Sequence, residues 1–389
     1  MSQKTFHQRN LNLVLQQVIN HPLISRIDIA HRLNMNKSSI TNLFNELKGK
    51  NLLIEVGSGN STKNGGRRPT LLRINKDYGF VITFQLFFKH LYMMANSLNG
   101  QIINYKEIKT GLDIKEILTL IDEQINNMIK IIKIPFLGIC FSINGIVYHN
   151  KILKSPFLDM KNVDLFKRYS QKYKVPVVLE NEANLIAIYK RDFSKNKTLK
   201  NIICISIHRG IGSGIIVNHQ LYHGKKGFSG QIGQLIRFVP PKEKTNPQLD
   251  NMENNFSEEA ILDHIKTQKK LKNLNLKKVV KLFKQNDPVV IKELNNFTNI
   301  MTNIIFDVNK TFAPDKFFLD STLMRSLPKA YRKIKTSLNA MDKNINISLI
   351  NSNKTALLGG YSLIFHHILK LDAFKLRFSK PKTSFISHK

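Results

Sequence analysis

The sequence predicts an α/β protein in two parts: an N-terminal winged helix-turn-helix over residues 1–75, then a two-lobed ribonuclease H-like body over residues 76–389. Three observations carry this. Residues 25–69 read as helix, tight turn, helix, strand and a Gly/Asn/Ser-rich hairpin closed by paired arginines. From residue 80 the pattern changes to three strands, then helix, strand, helix, strand. Near residue 202 a second, similar set begins around a glycine-rich turn.

In the first part, residues 1–10 are polar and read as an arm. Leu11, Val14, Leu15, Val18 and Ile19 make one apolar helical stripe, which His21-Pro22 ends. Ser25 and Asp28 form a capping box for the next helix, with Asp in place of the usual Glu. Asn34-Met35-Asn36 breaks that helix, and Asn36 is placed to cap the following one. There Ile40, Leu43, Phe44 and Leu47 fall at i, i+3, i+4, i+7 and face inward. This leaves Lys37, Ser38, Ser39, Thr41 and Asn42 outward, with no acid before Glu46. Short donors and acceptors near a helix N-terminus suit base edges in the major groove of double-stranded DNA. The plainer alternative is an ordinary solvated face of a helical hairpin. The strands at 52–56 and 70–74, joined through 57–66 and Arg67-Arg68-Pro69, make the wing. Its arginines suit phosphate or a narrow minor groove.

In the body, strands are expected at 80–88, 91–97 and 101–110, the last two turned by Asn99-Gly100. A helix at 114–132, a strand at 136–142, a helix at 166–173 and a strand at 175–179 follow. A helix at 184–193 precedes strands at 202–207 and 214–217. Beyond 257 the chain reads as helical, except for strands at 317–319 and 345–349. The basic stretch 374–389 reads as a loose tail.

Composition is that of an ordinary globular chain, 42% hydrophobic and 22% charged. No run approaches 18 uninterrupted apolar residues, so no membrane contact is expected. The N-terminus lacks a basic-then-apolar signal pattern, which points to the cytoplasm. Cys140 and Cys204 lie inside apolar strands and are expected as buried free thiols, with no metal site. The formal charge is +33, of which 11 Lys/Arg against 3 Asp/Glu fall in residues 1–75. The excess is spread along the chain, so it supports DNA association without locating it.

The glycine-rich stretch 205–234 carries a family resemblance. It runs ISIHRGIGSGIIVNHQLYHGKKGFSGQIGQ, with Gly210, Gly212, Gly214, Gly224 and Gly227 before Ser229-Gly230-Gln231-Ile232-Gly233-Gln234. This resembles the ROK family, which holds bacterial sugar kinases and sugar-responsive repressors and shows Ala-Gly-Glu-Ile-Gly-His at that place. Glu180-Asn181-Glu182-Ala183-Asn184 stands for the family's Asn-Asp-Ala-Asn, and residues 138–145, GICFSING, for a segment ending Pro-Gly. Gly66-Arg67-Arg68-Pro69 matches the wing of the repressor branch. The resemblance covers nearly the whole chain and implies an actin- and sugar-kinase-like body.

The departures matter as much. The family's kinases open with an Asp-x-Gly-x-Thr phosphate loop, where this chain has Gln85-Leu86-Phe87-Phe88-Lys89. The general base is Asp in the family and Glu182 here, its carboxylate about one C–C bond (~1.5 Å) further out. Misplacement by about 1 Å can cost on the order of a hundredfold in rate. The zinc-binding segment is missing, since residues 234–263 hold neither Cys nor His. Asp320-Ser321 replaces a nucleotide-site glycine pair.

The resemblance therefore implies a DNA-binding repressor of carbohydrate-utilisation genes, a sensor without ATP chemistry, cofactor or metal. The sugar or sugar-phosphate effector would meet Asn181, Glu182, Gln231, Gln234 and, on a looser alignment, Glu258, all able to hydrogen-bond hydroxyls. The alternatives are a carbohydrate kinase with an accessory DNA-binding domain, and a regulator whose pocket is dead. A homodimer or higher oligomer on an inverted repeat is expected, because one helix-turn-helix contacts too little DNA.

Overall fold

The structure, a computed structural model, describes residues 3–59, 68–196, 198–239 and 248–379. Two compact units account for it: residues 1–181 with 192–195 and 356–389, and residues 182–191 with 196–355.

The first unit begins with the winged helix: α1 (Gln3–Asn20), β1 (Ile24–Ser25), α2 (Arg26–Leu33), α3 (Lys37–Gly49), β2 (Leu53–Ser58) and β3 (Thr70–Ile74). Its three strands lie in the order β1-β3-β2, all antiparallel. Val14, Ile29, Ile40, Phe44, Leu53 and Leu72 are wholly buried between the helices and this sheet. The capping box forms as expected, the Asp28 amide donating to Ser25 Oγ and the Ser25 amide to Asp28 Oδ2. Asn34 ends α2 with a left-handed backbone, φ 51°. Asn36 does head α3, but its side chain makes no capping bond. The helix is held instead by the packed apolar stripe. Residues 3–10, read from sequence as an arm, extend α1, since polarity alone does not unwind a helix whose next two turns are packed.

The same unit then builds a sheet from β4 (Phe80–Phe87), β5 (His90–Ser97), β6 (Ile102–Lys109), β7 (Phe136–Ile143) and β10 (Val177–Asn181). Helix α4 (Ile114–Ile131), the hairpin β8 (Ile146–Tyr148) and β9 (Lys151–Lys154), and α5 (Leu165–Tyr173) lie between these strands in sequence. Strand order is β10-β7-β4-β5-β6, with β4, β7 and β10 parallel and β5 and β6 antiparallel. Ile117, Ile121 and Ile125 of α4 join Phe84 and Phe141 in one buried cluster.

The second unit repeats that order. It holds α6 (Glu182–Asp192), β11 (Ile202–Ile207), β12 (Ile211–Val217), β13 (Gln220–Leu221), the hairpin β14 (Ile236–Val239) and β15 (Gln248–Asn251), α7 (Met252–Phe256), α8 (Glu258–Gln268), α9 (Leu276–Lys284) and α10 (Pro288–Phe312). After them come β16 (Lys316–Ser321), α11 (Thr322–Ser326), α12 (Pro328–Met341) and β17 (Ile347–Leu349). The order β13-β12-β11-β16-β17 has the same antiparallel and parallel pairings as the first sheet. Ile205, Phe317 and Leu319 bury one face under Ile265, Phe297 and Ile334 from α8, α10 and α12. The doubled ribonuclease H-like expectation holds in both sheets.

Helix α13 (Thr355–Leu369) returns to the first unit, where Gly138 leaves room for Ile364, whose nearest carbon would stand 3.1 Å from an added Cβ. The segment after it departs from the sequence reading. Residues 374–379 are packed, the Phe378 ring lying 5.1–5.4 Å from Phe193, Tyr361 and Phe365. The same segment is stitched to α1: Asn12 Nδ2 donates to the Lys370 carbonyl, and Gln16 Nε2 and Asn20 Nδ2 to that of Lys375. Three aromatic partners from distant parts of the chain decide this, and no local pattern reports them. Cys140 and Cys204 are buried free thiols, and burial pushes both up in pKa. No helix among the described residues is long and apolar enough to cross a membrane.

Candidate nucleic-acid interface and effector site

Helix α3 offers its outer face without internal claims on most of it. Lys37, Ser38 and Asn42 are exposed and Ser39 and Thr41 half-buried. Thr41 Oγ1 donates to the Lys37 carbonyl at 2.9 Å, so this hydroxyl keeps only its acceptor capacity for a ligand. Arg68 is exposed, and Arg67 lies outside the described residues.

The three carboxylates of residues 1–75 are all consumed locally. Asp28 caps α2. Glu46 pairs with Lys50 at 2.6 Å and His7 at 2.7 Å, and these hold it below the usual carboxylate range. Glu55 pairs with Lys48 at 2.6 Å and Arg26 at 3.4 Å, chiefly lowered by Lys48. The face of α3 thus has no unpaired acid of residues 1–75 beside it to repel a polyanion.

In the second unit, three of the expected sugar residues, Glu182, Gln231 and Gln234, lie next to glycine contacts with β12. A Cβ on Gly214 would lie 2.2 Å from the Ala183 carbonyl oxygen, so the start of α6, and Glu182 with it, sits directly on β12. A Cβ on Gly230 would lie 1.9 Å from the Ser213 oxygen, and one on Gly233 would lie 2.3 Å from that of Ile211. Gly230 also adopts φ 76°, and its carbonyl receives the Ser213 amide at 2.8 Å. These contacts hold Gln231 and Gln234 against the same strand. Gln234 Nε2 donates to Glu253, Asn251 Nδ2 donates to Gln234 Oε1 at 3.2 Å, and the Ile211 amide donates to Glu253 Oε2 at 3.4 Å. Glu253 was not among the sequence candidates. Its partner lies across the β14–β15 hairpin, so no local spacing marks it.

Asn181 closes β10 in the first unit, where its side-chain nitrogen donates to the Gly145 carbonyl at 2.5 Å. Glu258 heads α8. Its Oε1 accepts from Ser321 Oγ at 2.6 Å and from the Leu323 amide at 2.8 Å. Its other oxygen lies 3.8 Å from His208 Nδ1.

His208 is the residue that sequence reasoning passed over. Nε2 stands 3.6 Å from Asp320 Oδ2, and Asp320 in turn pairs with Arg325. Burial works against the imidazolium, but the two carboxylates outweigh it and raise its pKa well above the usual value. Burial likewise opposes charge on Asp320, yet His208 and Arg325 hold its carboxyl low. A histidine two residues before a glycine turn and an Asp-Ser in place of two glycines were the available signals. Only the parallel pairing of β11 with β16 shows that they meet.

At the corresponding place in the first sheet, Gln85 is buried within β4 opposite Tyr92. Only Phe88 and Lys89 then turn the chain into β5, Lys89 with φ 58°.

A winged helix on a doubled ribonuclease H-like body defines a DNA-binding regulator built on a sugar-kinase scaffold. The chain belongs to the ROK family, whose pattern matches residues 89–364. It is similar to the xylose repressor of Lactiplantibacillus pentosus, 39% identical over 385 residues and 98% of each chain. The xylose repressor of Staphylococcus xylosus is 32% identical, over 94% of this chain and 97% of the relative. Among solved structures, a ROK family transcriptional regulator described as a homologue of E. coli MLC superposes with a TM-score of 0.78. That likeness covers 95% of this chain and 98% of the other at 19% identity, and speaks for the fold alone.

Proposed function

We propose that this sugar-responsive ROK repressor reads an operator through Lys37, Ser38, Ser39, Thr41 and Asn42 on α3. Arg67 and Arg68 of the wing would hold the flanking phosphates, and the protein would act as a homodimer on an inverted repeat in the cytoplasm. The observation that carries the reading is the outer face of α3: exposed or half-buried short polar groups in a segment whose three acids are all paired elsewhere. Residues 1–75 are the DNA-binding domain in this reading and 76–389 the sensor.

For the effector we propose a pentose, xylose, because the relatives similar over the full length are named for it. Glu182, Gln231 and Gln234, with Asn181 preceding Glu182 in the chain, would take the sugar hydroxyls. Glu258, already satisfied by Ser321 and Leu323, would play the lesser part. The kinase scaffold is degenerate in this reading. A buried Gln85 and a two-residue turn through Phe88-Lys89 leave no carboxylate for magnesium and no glycine backbone to approach a phosphate. Asp320-Ser321 stands in place of the nucleotide-site glycine pair, and Asp320 is taken up by ion pairs with His208 and Arg325.

The test is a gel-shift titration of operator-bound protein with xylose. A ligand moves operator affinity only by its differential binding to two states, typically about 5–150-fold. Wild type should release operator within that range. Glu182→Ala should bind operator equally well and not release it. Equal release by both proteins removes Glu182 from the site, and xylose-dependent ATP turnover overturns the repressor without chemistry.

A further inference from the structure

The second unit carries a dense lysine surface that the winged helix does not explain. Residues 266–284 hold eight lysines and no acid, whereas the chain's +33 over 389 residues would put fewer than two net charges in a stretch of that length. The average charge of the chain therefore does not account for it. Among the described residues only Lys269 of this set is ion-paired, to Asp287 at 2.5 Å. Lys270, Lys272, Lys277, Lys278, Lys281 and Lys284 are exposed, and none has an ion pair among the described residues.

On α9 the lysines form one stripe. Leu276, Val279, Val280 and Phe283 turn into the core, leaving Lys277, Lys278, Lys281 and Lys284 along the opposite side for the helix's length, about 14 Å. Lys277 and Lys281 stand at i and i+4, a like-charge spacing that weakens a helix. Lys329 of α12 extends the surface, its Nζ lying 5.8 Å from the Phe283 ring centre. Arg332 and Lys333 beside it are exposed.

We infer that this face binds the phosphate backbone of duplex DNA beside the operator, a second contact of the same protein with the same molecule. The inference rests on the operator reading above. Charge complementarity carries it, and the alternatives fit less well. An anionic membrane surface would want a free apolar face on α9, and that face is spent in the core. Single-stranded nucleic acid would want exposed aromatic platforms, and Phe283 is half-buried with a lysine over it. A regular array of phosphates needs only a regular array of cations. Such contacts add affinity and salt dependence without sequence information.

The experiment measures binding of the whole protein to two duplexes across a salt series. One is the operator alone, and the other adds random-sequence flanks of about two helical turns on each side, a turn being about 10 base pairs. Wild type should bind the longer duplex more tightly and with a steeper dependence on salt. Replacing Lys277, Lys278, Lys281 and Lys284 by glutamine should abolish that advantage. The slope of log K against log salt should then fall by about one for each phosphate no longer neutralised, on the long duplex only. Affinity for the operator alone should not change. If wild type gains nothing from flanks while binding the operator, the inference fails and the operator reading stands. If the operator itself is not bound, the operator reading fails first. Should the quadruple variant keep the flank advantage while losing adsorption to vesicles of anionic lipid, the surface belongs to a membrane and this assignment is overturned.

Discussion

The outer face of α3 and the surroundings of β12 are both built from short polar residues, and they are wired oppositely. On α3, Lys37, Ser38, Ser39 and Asn42 form no side-chain hydrogen bond or ion pair among the described residues. Around β12, Gln234 is tied to Glu253 and Asn251, and Glu258 to Ser321 and Leu323. If α3 reads DNA as proposed, its solvated groups are ready for many sequences; if the surroundings of β12 hold the proposed effector, their internal bonds lower the ordering cost of binding. The glycines mark the same contrast. Gly214, Gly230 and Gly233 are places where two backbones touch, while a Cβ on Gly49 at the end of α3 would meet nothing within 4 Å.

The largest test of this contrast is Gly214→Ala. The new Cβ meets the Ala183 oxygen, a backbone atom that cannot swing aside. A destabilisation of about 2–3 kcal/mol is expected, near the upper end for overpacking, read as a lower urea midpoint. An unchanged midpoint would mean that α6 is not seated on β12. The winged helix should remain competent for operator in whatever fraction stays folded.

Asn42→Ala probes the other region. No change in stability is expected, because the side chain has no internal partner among the described residues, but discrimination at one or two base pairs should fall by about 1–3 kcal/mol. Binding-site selection that returns the wild-type motif would take Asn42 off the reading face.

The smallest effect sharpens the comparison through pH. His208 has its pKa raised by Asp320 and Glu258, with Arg325 on the far side of Asp320. Its contribution to stability is therefore complete below the unfolded value, near 6.5, and is lost as pH rises through the higher folded value. Urea midpoints should fall as pH rises above the unfolded value, and His208→Gln should flatten that fall. An equal fall in both proteins would assign the effect to another group.

Much of this was legible beforehand. The capping box at Ser25, the apolar spacing of Ile40, Leu43, Phe44 and Leu47, and all strands of the two body sheets except β13 followed from local pattern. Residues 374–379 looked like a tail because their anchors, Phe193, Tyr361, Phe365 and the side chains of α1, lie far off in sequence. Asn36 does head α3 as read, but without a side-chain capping bond, because composition shows a side chain's capacity and not its rotamer.

Periodicity and turn chemistry are local, so the sequence by itself determined most of the longer helices and strands and which face of α3 is apolar, but not the short hairpins β8–β9 and β14–β15 or the start of α1. Pairing between distant segments is a property of the closed fold. Only the tertiary structure decided that His208 meets Asp320 and Glu258, that Gln234 is held by Glu253, and that Gly214 and Gly230 bring their neighbours onto one strand. Each of these joins groups whose separation along the chain carries no signal, because an ion pair or a backbone contact depends on distance in space alone.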